Sequence, residues 1–141
     1  MSFALQARSP LPKRYFTLLE AQSALARIRS QFEIAVIYNR RLDNAVTEMS
    51  ASRGQGESRR RAARIRDDLD RVLNIVREVG AEVANLSPGT LDFPALRNGE
   101  PVYISWRTGD ATVSWWRPVN SSCPNHRKLG LADHICWEWR N

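Results

Sequence analysis

The sequence predicts an α+β domain in which a long antiparallel helical hairpin packs on a small antiparallel β-sheet of three or four strands. Three observations predict it. Apolar residues recur at alternating steps of four and three from Ala21 to Met49, and again from Ala62 to Val79. A single glycine-containing break, Ser50 to Glu57, separates the two periodic stretches, so the helices fold back on each other. Further on, Asn98-Gly99, the strongest short hairpin signal, joins two segments of alternating apolar and polar residues.

The chain of 141 residues, 43% hydrophobic and 26% charged, is long enough for one domain with its own core. We read residues 15–80 as the hairpin, 90–118 as a β-meander and 119–141 as a tail able to add a strand. No segment approaches the roughly 20 apolar residues of a membrane span. The N-terminal residues carry no signal-peptide pattern, so a cytoplasmic location is expected.

The first helix opens at Thr17, an N-cap residue, with Glu20 three positions on completing a capping box. Its seam reads Ala21, Leu25, Ile28, Phe32, Ala35, Asn39, Leu42, Val46 and Met49. Asn39 is the only polar member. A lone seam Asn fixes register or oligomeric state, so Asn39 is expected to face the second helix near Leu69, or the same seam of a second copy in a homodimer. The second seam is Ala62, Ile65, Leu69, Val72, Val76 and Val79, with Gly80 placed as a C-cap glycine.

In the sheet, a two-residue turn at Asn98-Gly99 sets Phe93 opposite Ile104. A second such turn at Gly109-Asp110 would set Ile104 opposite Trp115. One face then carries Leu91, Phe93, Val102, Ile104, Trp106, Val113 and Trp115, which the hairpin covers. The other carries Asp92, Tyr103, Ser105, Arg107 and Trp116. Pro94 lacks a ladder donor, which predicts an edge position for the first strand. The polar face is a candidate binding surface: one carboxylate, one guanidinium, hydroxyls and two aromatic rings. Its competing reading is the solvated side of a sheet.

Charge singles out a second region. Net charge is +6, and between Arg40 and Arg66 eight arginines face three acids, which accounts for +5 of it. Arg59, Arg60, Arg61 and Arg64 lie beside the hairpin loop, where guanidinium groups could grip phosphates. The alternative is a solvated helix face paired with Glu57, Asp67, Asp68 and Asp70 at helical spacings. No aromatic residue interleaves the arginines for base stacking.

Both cysteines and both histidines fall in one stretch, Cys123, His126, His134 and Cys136. Alternation through Leu131–Trp139 would put His134 and Cys136 side by side on a strand, and Cys123 and His126 stand in C-x-x-H spacing. Three readings stand: a tetrahedral Cys2His2 zinc site, a Cys123–Cys136 disulfide, or unconnected thiols and imidazoles. No other cofactor is implied.

The stretches YFTLLEA, Tyr15 to Ala21, and GAEVANLSPGTLDFPALRNGEPVYISWRTGD, Gly80 to Asp110, resemble the prokaryotic family catalogued as domain of unknown function 2203. The DFPALRNG segment, Asp92 to Gly99, and W-R-x-G, Trp106 to Gly109, carry the resemblance most specifically. It extends over about Tyr15 to Leu129, and it implies a small cytoplasmic protein without an assigned activity. This chain departs from the family pattern at Ser105, where members often carry cysteine, and at Asp110, where they carry glutamate. It departs again at Trp116, Arg117 and Pro118, in place of W-H-E, and at His126 to Leu129, in place of G-R-Q-P. Any chemistry of the family's cysteine and histidine is therefore lacking here at those positions.

No nucleophile motif, glycine-rich phosphate loop or paired carboxylates occur. The leading expectation is a non-enzymatic interaction protein that docks on a larger assembly through a protein partner. The alternatives are an RNA- or ribosome-associated protein using the arginine tip, and a small metal-dependent enzyme resting on the Cys/His stretch.

Overall fold

A computed structural model of the chain describes residues 14–51, 55–119 and 127–129, with the main chain alone for Gln55, Arg127 and Lys128. Two helices precede an antiparallel sheet. Helix α1 spans Leu18–Ala51 and α2 spans Gln55–Glu78. The strands are β1 Glu82–Asn85, β2 Thr90–Arg97, β3 Glu100–Arg107, β4 Trp115–Pro118 and the two-residue β5 Arg127–Lys128. They lie in sequence order.

Helix α1 starts where its capping residues place it. Thr17 Oγ1 accepts from Glu20 N–H at 3.0 Å, and Thr17 N–H donates to Glu20 Oε1 at 2.8 Å. This reciprocal pair satisfies two otherwise orphaned amides and contributes about 1 kcal/mol. Its 34 residues make a rod about 50 Å long. Both helices run further into the expected break than the glycines imply, and Gly56 lies inside α2.

The core lies between α1, the end of α2 and one face of the sheet. Ala21, Leu25, Ile28, Phe32 and Val36 of α1 meet Leu91, Phe93, Val102, Ile104, Trp106 and Trp116. Trp106 is fully buried and receives Phe32 edge-on at 6.0 Å. Burial of each such side chain contributes about 1.5–3 kcal/mol. The buried face of α1 is wider than a heptad seam, since Ala24 and Val36 are buried as well. The reason is that α1 contacts two surfaces, the sheet on one side and α2 on the other, where Ala35 packs with Leu69 and Leu73.

Expectations for α1 and for the first strand of the meander need correction. Val46 is 42% exposed and Ala45 is buried in its place. Val46 prolongs the sheet-facing stripe of α1, but core burial against the sheet ends at Val36, and beyond it α1 buries residues toward α2. Asn39, half-buried between the seam residues Ala35 and Leu42, meets the sheet side as well. It lines a cavity of about 80 Å³ with Val36, Arg40, Asp43 and the β1–β2 turn, Leu86 to Pro88. Finally, β2 is an interior strand, because β1 pairs with it through Glu82↔Asp92 and Val83↔Leu91. Pro94 is tolerated there because β1 begins only opposite Asp92; the Pro94 carbonyl instead accepts from Phe16 N–H at 2.7 Å.

The β1–β2 turn is held against α1 by Gly89, whose φ is +126°. A Cβ there would stand 2.8 Å from Val36 Cγ2 and closer still to the Thr108 hydroxyl, so no other residue fits. The β2–β3 turn is as expected: Asn98 and Gly99 have φ of 52° and 87°, and Phe93 pairs with Ile104.

The β3–β4 connection differs from the two-residue turn expected of Gly109-Asp110. Asp110 organises a longer loop, residues 108–114. Its N–H donates to Arg107 O at 2.9 Å, and its Oδ2 accepts from Arg107 N–H at 3.2 Å and from Trp115 Nε1–H at 2.9 Å. Its carbonyl accepts from Trp106 Nε1–H at 2.8 Å. Pairing resumes at Ser105↔Trp115 and Ile104↔Trp116, one residue out of the expected register. A one-residue shift exchanges the two faces of a strand. Trp116 therefore enters the core and Trp115 turns to the polar face, the reverse of the sequence expectation.

Candidate functional site

The sheet face away from the helices carries a polar network. Cross-strand register brings Glu82 beside Asp92, Asp92 beside Ser105, and Tyr103 beside Arg117. Asp92 is the centre. Its Oδ1 accepts from Ser105 Oγ–H at 2.6 Å and its Oδ2 from Arg117 Nη2–H at 2.8 Å. Asp92 and Ser105 are buried although they lie on the expected wet side. The Arg117 guanidinium also lies 4.7 Å from the centroid of the Tyr103 ring, and Tyr103 Oη–H donates to Glu82 Oε1 at 3.0 Å. On the same face, Arg107 stacks 4.0 Å over Trp115, whose indole is tied to Asp110.

Burial dominates the proton affinities. It raises the Glu82 carboxyl above its usual range, with the Asp92 charge adding and the Tyr103 hydrogen bond and Arg117 opposing. Burial also pushes the Tyr103 hydroxyl up to about 12, assisted by the charge of Glu82. Ser105 donates to a carboxylate whose second oxygen is held by Arg117. The chemistry on display is charge pairing and stacking.

Of the residues the sequence singles out on this face, Asp92, Tyr103, Ser105 and Arg107 are brought together and Trp116 is not. Glu82, Asp110, Trp115 and Arg117 complete the network and were not expected. Glu82 was legible in principle: Ser87-Pro88-Gly89 is a turn signal between EVAN and TLD, which makes β1 a hairpin partner of β2. Arg117 and Trp115 were hidden by the register shift alone.

The second region is the end of the hairpin. Beyond Val36 the helices bury side chains mainly between themselves: Ala45 on α1, and Ala62, Leu69 and Leu73 on α2. Arg40, Arg41, Arg59, Arg60, Arg61, Arg64 and Arg66 are all exposed there. Arg61 pairs with Glu48 across the two helices, and Asp68 with Arg71 at 3.0 Å further down α2. Between residues 40 and 66 these seven described arginines face three acids, Asp43, Glu48 and Glu57, and Asp67, Asp68 and Asp70 follow within one turn of Arg64 and Arg66.

Cys123, His126, His134 and Cys136, the expected strand Leu131–Trp139 and Arg53 lie outside the described residues. Among the described residues, no group of three or more His, Cys, Asp or Glu side chains could hold a metal ion. No described helix is long and apolar enough to cross a membrane.

These features define a helical-hairpin-on-sheet α+β protein with an internally bonded polar face and a basic helical end. The family model described as "Uncharacterized conserved protein (DUF2203)" matches residues 14–129, and the chain belongs to this family. The matched span includes both helices, the sheet and the Asp92 network. No curated protein and no solved structure matches the chain significantly.

Proposed function

We propose that this is a non-enzymatic docking protein, which uses the sheet as a rigid base and presents the end of the two-helix hairpin to a larger assembly. The observation that carries this reading is the arm itself. Helix α1 runs 15 residues past Val36, its last residue in the sheet core, a distance of about 22 Å. Val46, on the stripe that faces the sheet lower down, is open to solvent there. An arm of this length adds little to the core and extends the reach of the molecule.

The polar face supports the same reading. Its groups hydrogen-bond to each other, Asp92 with both oxygens, and this suits a stiff platform. The test is to shorten the arm by deleting residues 45–64 and rejoining the helices with a short Gly-Ser linker. Far-UV circular dichroism checks that the body folds. In extracts of the native host, the full chain is expected to migrate with a high-mass complex and the shortened chain as a free protein. Migration of the full chain as a free protein, or retention of the shortened chain in the complex, refutes the reading.

A further inference from the structure

We propose that the tip of the arm binds the phosphate backbone of duplex nucleic acid without reading its bases. This rests on the docking reading and names the partner of the same arm. The first ground is charge. Arg40 and Arg41 lie toward the body, and the tip itself carries five arginines, Arg59, Arg60, Arg61, Arg64 and Arg66, against three acids, Asp43, Glu48 and Glu57. Those cations are all arginine, whose planar fork makes paired hydrogen bonds to phosphate oxygens.

The second ground is placement. Ala62, Leu69, Leu73 and Val76 mark the inward face of α2. At 100° per residue, Arg60 and Arg64 fall on the outward face, one turn and about 6 Å apart along the axis. Both are exposed. Arg66 and Arg59 fall together on one flank, and Arg61 on the other, against Glu48 of α1. The cations thus form a band along one end of the rod, which suits a line of phosphates. Toward the body the sign reverses, with Asp67, Asp68 and Asp70 following directly.

The third ground decides the type of nucleic acid. From Asn39 to Asp92 the chain has no aromatic residue, and Tyr38 packs against Ala35, Leu69 and Leu73 at the body end, so the tip has no stacking platform for unpaired bases. Two helices side by side, each 10–12 Å across, are too broad for a major groove about 12 Å wide. What remains is contact across the backbone, dominated by counterion release and indifferent to sequence.

The test uses the full chain and fluorescein-labelled oligonucleotides of about 20 nucleotides or base pairs: duplex RNA, duplex DNA and an unstructured single strand. Fluorescence anisotropy between 50 and 200 mM salt reads affinity. With three or four phosphates neutralised, the log–log salt slope for a duplex is expected near −3, and the double variant Arg60→Gln/Arg64→Gln should flatten it by roughly 2. Arg71→Gln, at the Asp68 pair outside the tip, should leave the slope unchanged. Absence of duplex binding at 50 mM salt, an unchanged slope in the double variant, or tighter binding to the single strand overturns the proposal. Equal competition by poly-glutamate at matched charge also overturns it, and assigns the tip to acidic proteins. Nuclease treatment of the extract separates the two proposals. A complex that resists nuclease but is lost on shortening the arm leaves docking intact and removes nucleic acid as the partner.

Discussion

Replacing Arg117 with Met should destabilise the fold more than its place near the sheet edge implies. The Asp92 side chain is 4% exposed and that of Arg117 21%, with a contact of 2.8 Å. Removing the guanidinium leaves a buried carboxylate with Ser105 as its remaining bonded partner from this network. Breaking a buried pair from one side costs about 3–5 kcal/mol. Arg117 is partly open, so water reaches the vacated place and the lower end, about 3 kcal/mol, applies. Charge drives this cost, so the double variant Arg117→Met/Asp92→Asn should be more stable than Arg117→Met alone. The amide introduced by Asp92→Asn carries no charge and still offers an oxygen to Ser105. Urea unfolding at pH 7, followed by far-UV circular dichroism, measures both. At a slope of 1–3 kcal/mol per molar, the single variant's midpoint falls by roughly 1–3 M. A change within about 0.5 kcal/mol for Arg117→Met would refute the reasoning, as would a double variant less stable than the single.

Two further predictions follow from the same packing. Gly89→Ala should cost about 3–5 kcal/mol, from backbone strain plus the clash with Val36 and Thr108, whereas Gly99→Ala, with open space at its Cβ, should cost about 1 kcal/mol; similar losses on thermal melting would contradict the Gly89 geometry. Glu82 has its folded-state affinity for a proton raised by burial, so its favourable contribution is complete below the unfolded value near 4.5 and fades as pH rises through the folded one. Glu82→Gln, a neutral mimic that can still accept from Tyr103, should therefore be more stable than the parent at pH 7, with the gap closing toward pH 4; a gap independent of pH would show that burial is not the cause.

Helices and sheet faces were legible in the sequence where one rule acts alone. The capping box at Thr17, the periodic apolar residues and the Asn98-Gly99 turn each act locally, and each appears in the structure. Expectations failed where a tertiary partner decides. Val46 fits the heptad and Ala45 does not, yet Ala45 is the buried one, because the sheet stops short of Val46. Asn39 reads as a seam residue, yet the β1–β2 turn reaches α1 at that level. The largest effect came from Asp110. Gly109-Asp110 is a fair two-residue turn, but the Asp110 side chain binds two donors, Arg107 N–H and Trp115 Nε1–H, and lengthens the loop. One residue of slip then exchanged Trp115 with Trp116 and brought Arg117 to Asp92.

The arginine tip is costly for the fold, and this sharpens its interpretation. Arg60 and Arg64 stand at i,i+4, where like charges destabilise a helix by a few tenths of a kcal/mol. They do so where the hairpin is thinnest, beside contacts as small as Ala45 and Ala62. The body-proximal half of α2 follows the opposite practice: it mixes acids, Asp67, Asp68, Asp70 and Glu78, with Arg71 and Arg77, and Asp68 pairs with Arg71. A hairpin shaped by stability alone would carry that mixed pattern to its end. Substituting Gln at Arg60 and Arg64 relieves repulsion and leaves the buried face untouched, so the variant should be at least as stable as the parent. Loss of nucleic-acid affinity in such a variant then reports the removed phosphate contacts and not a damaged arm.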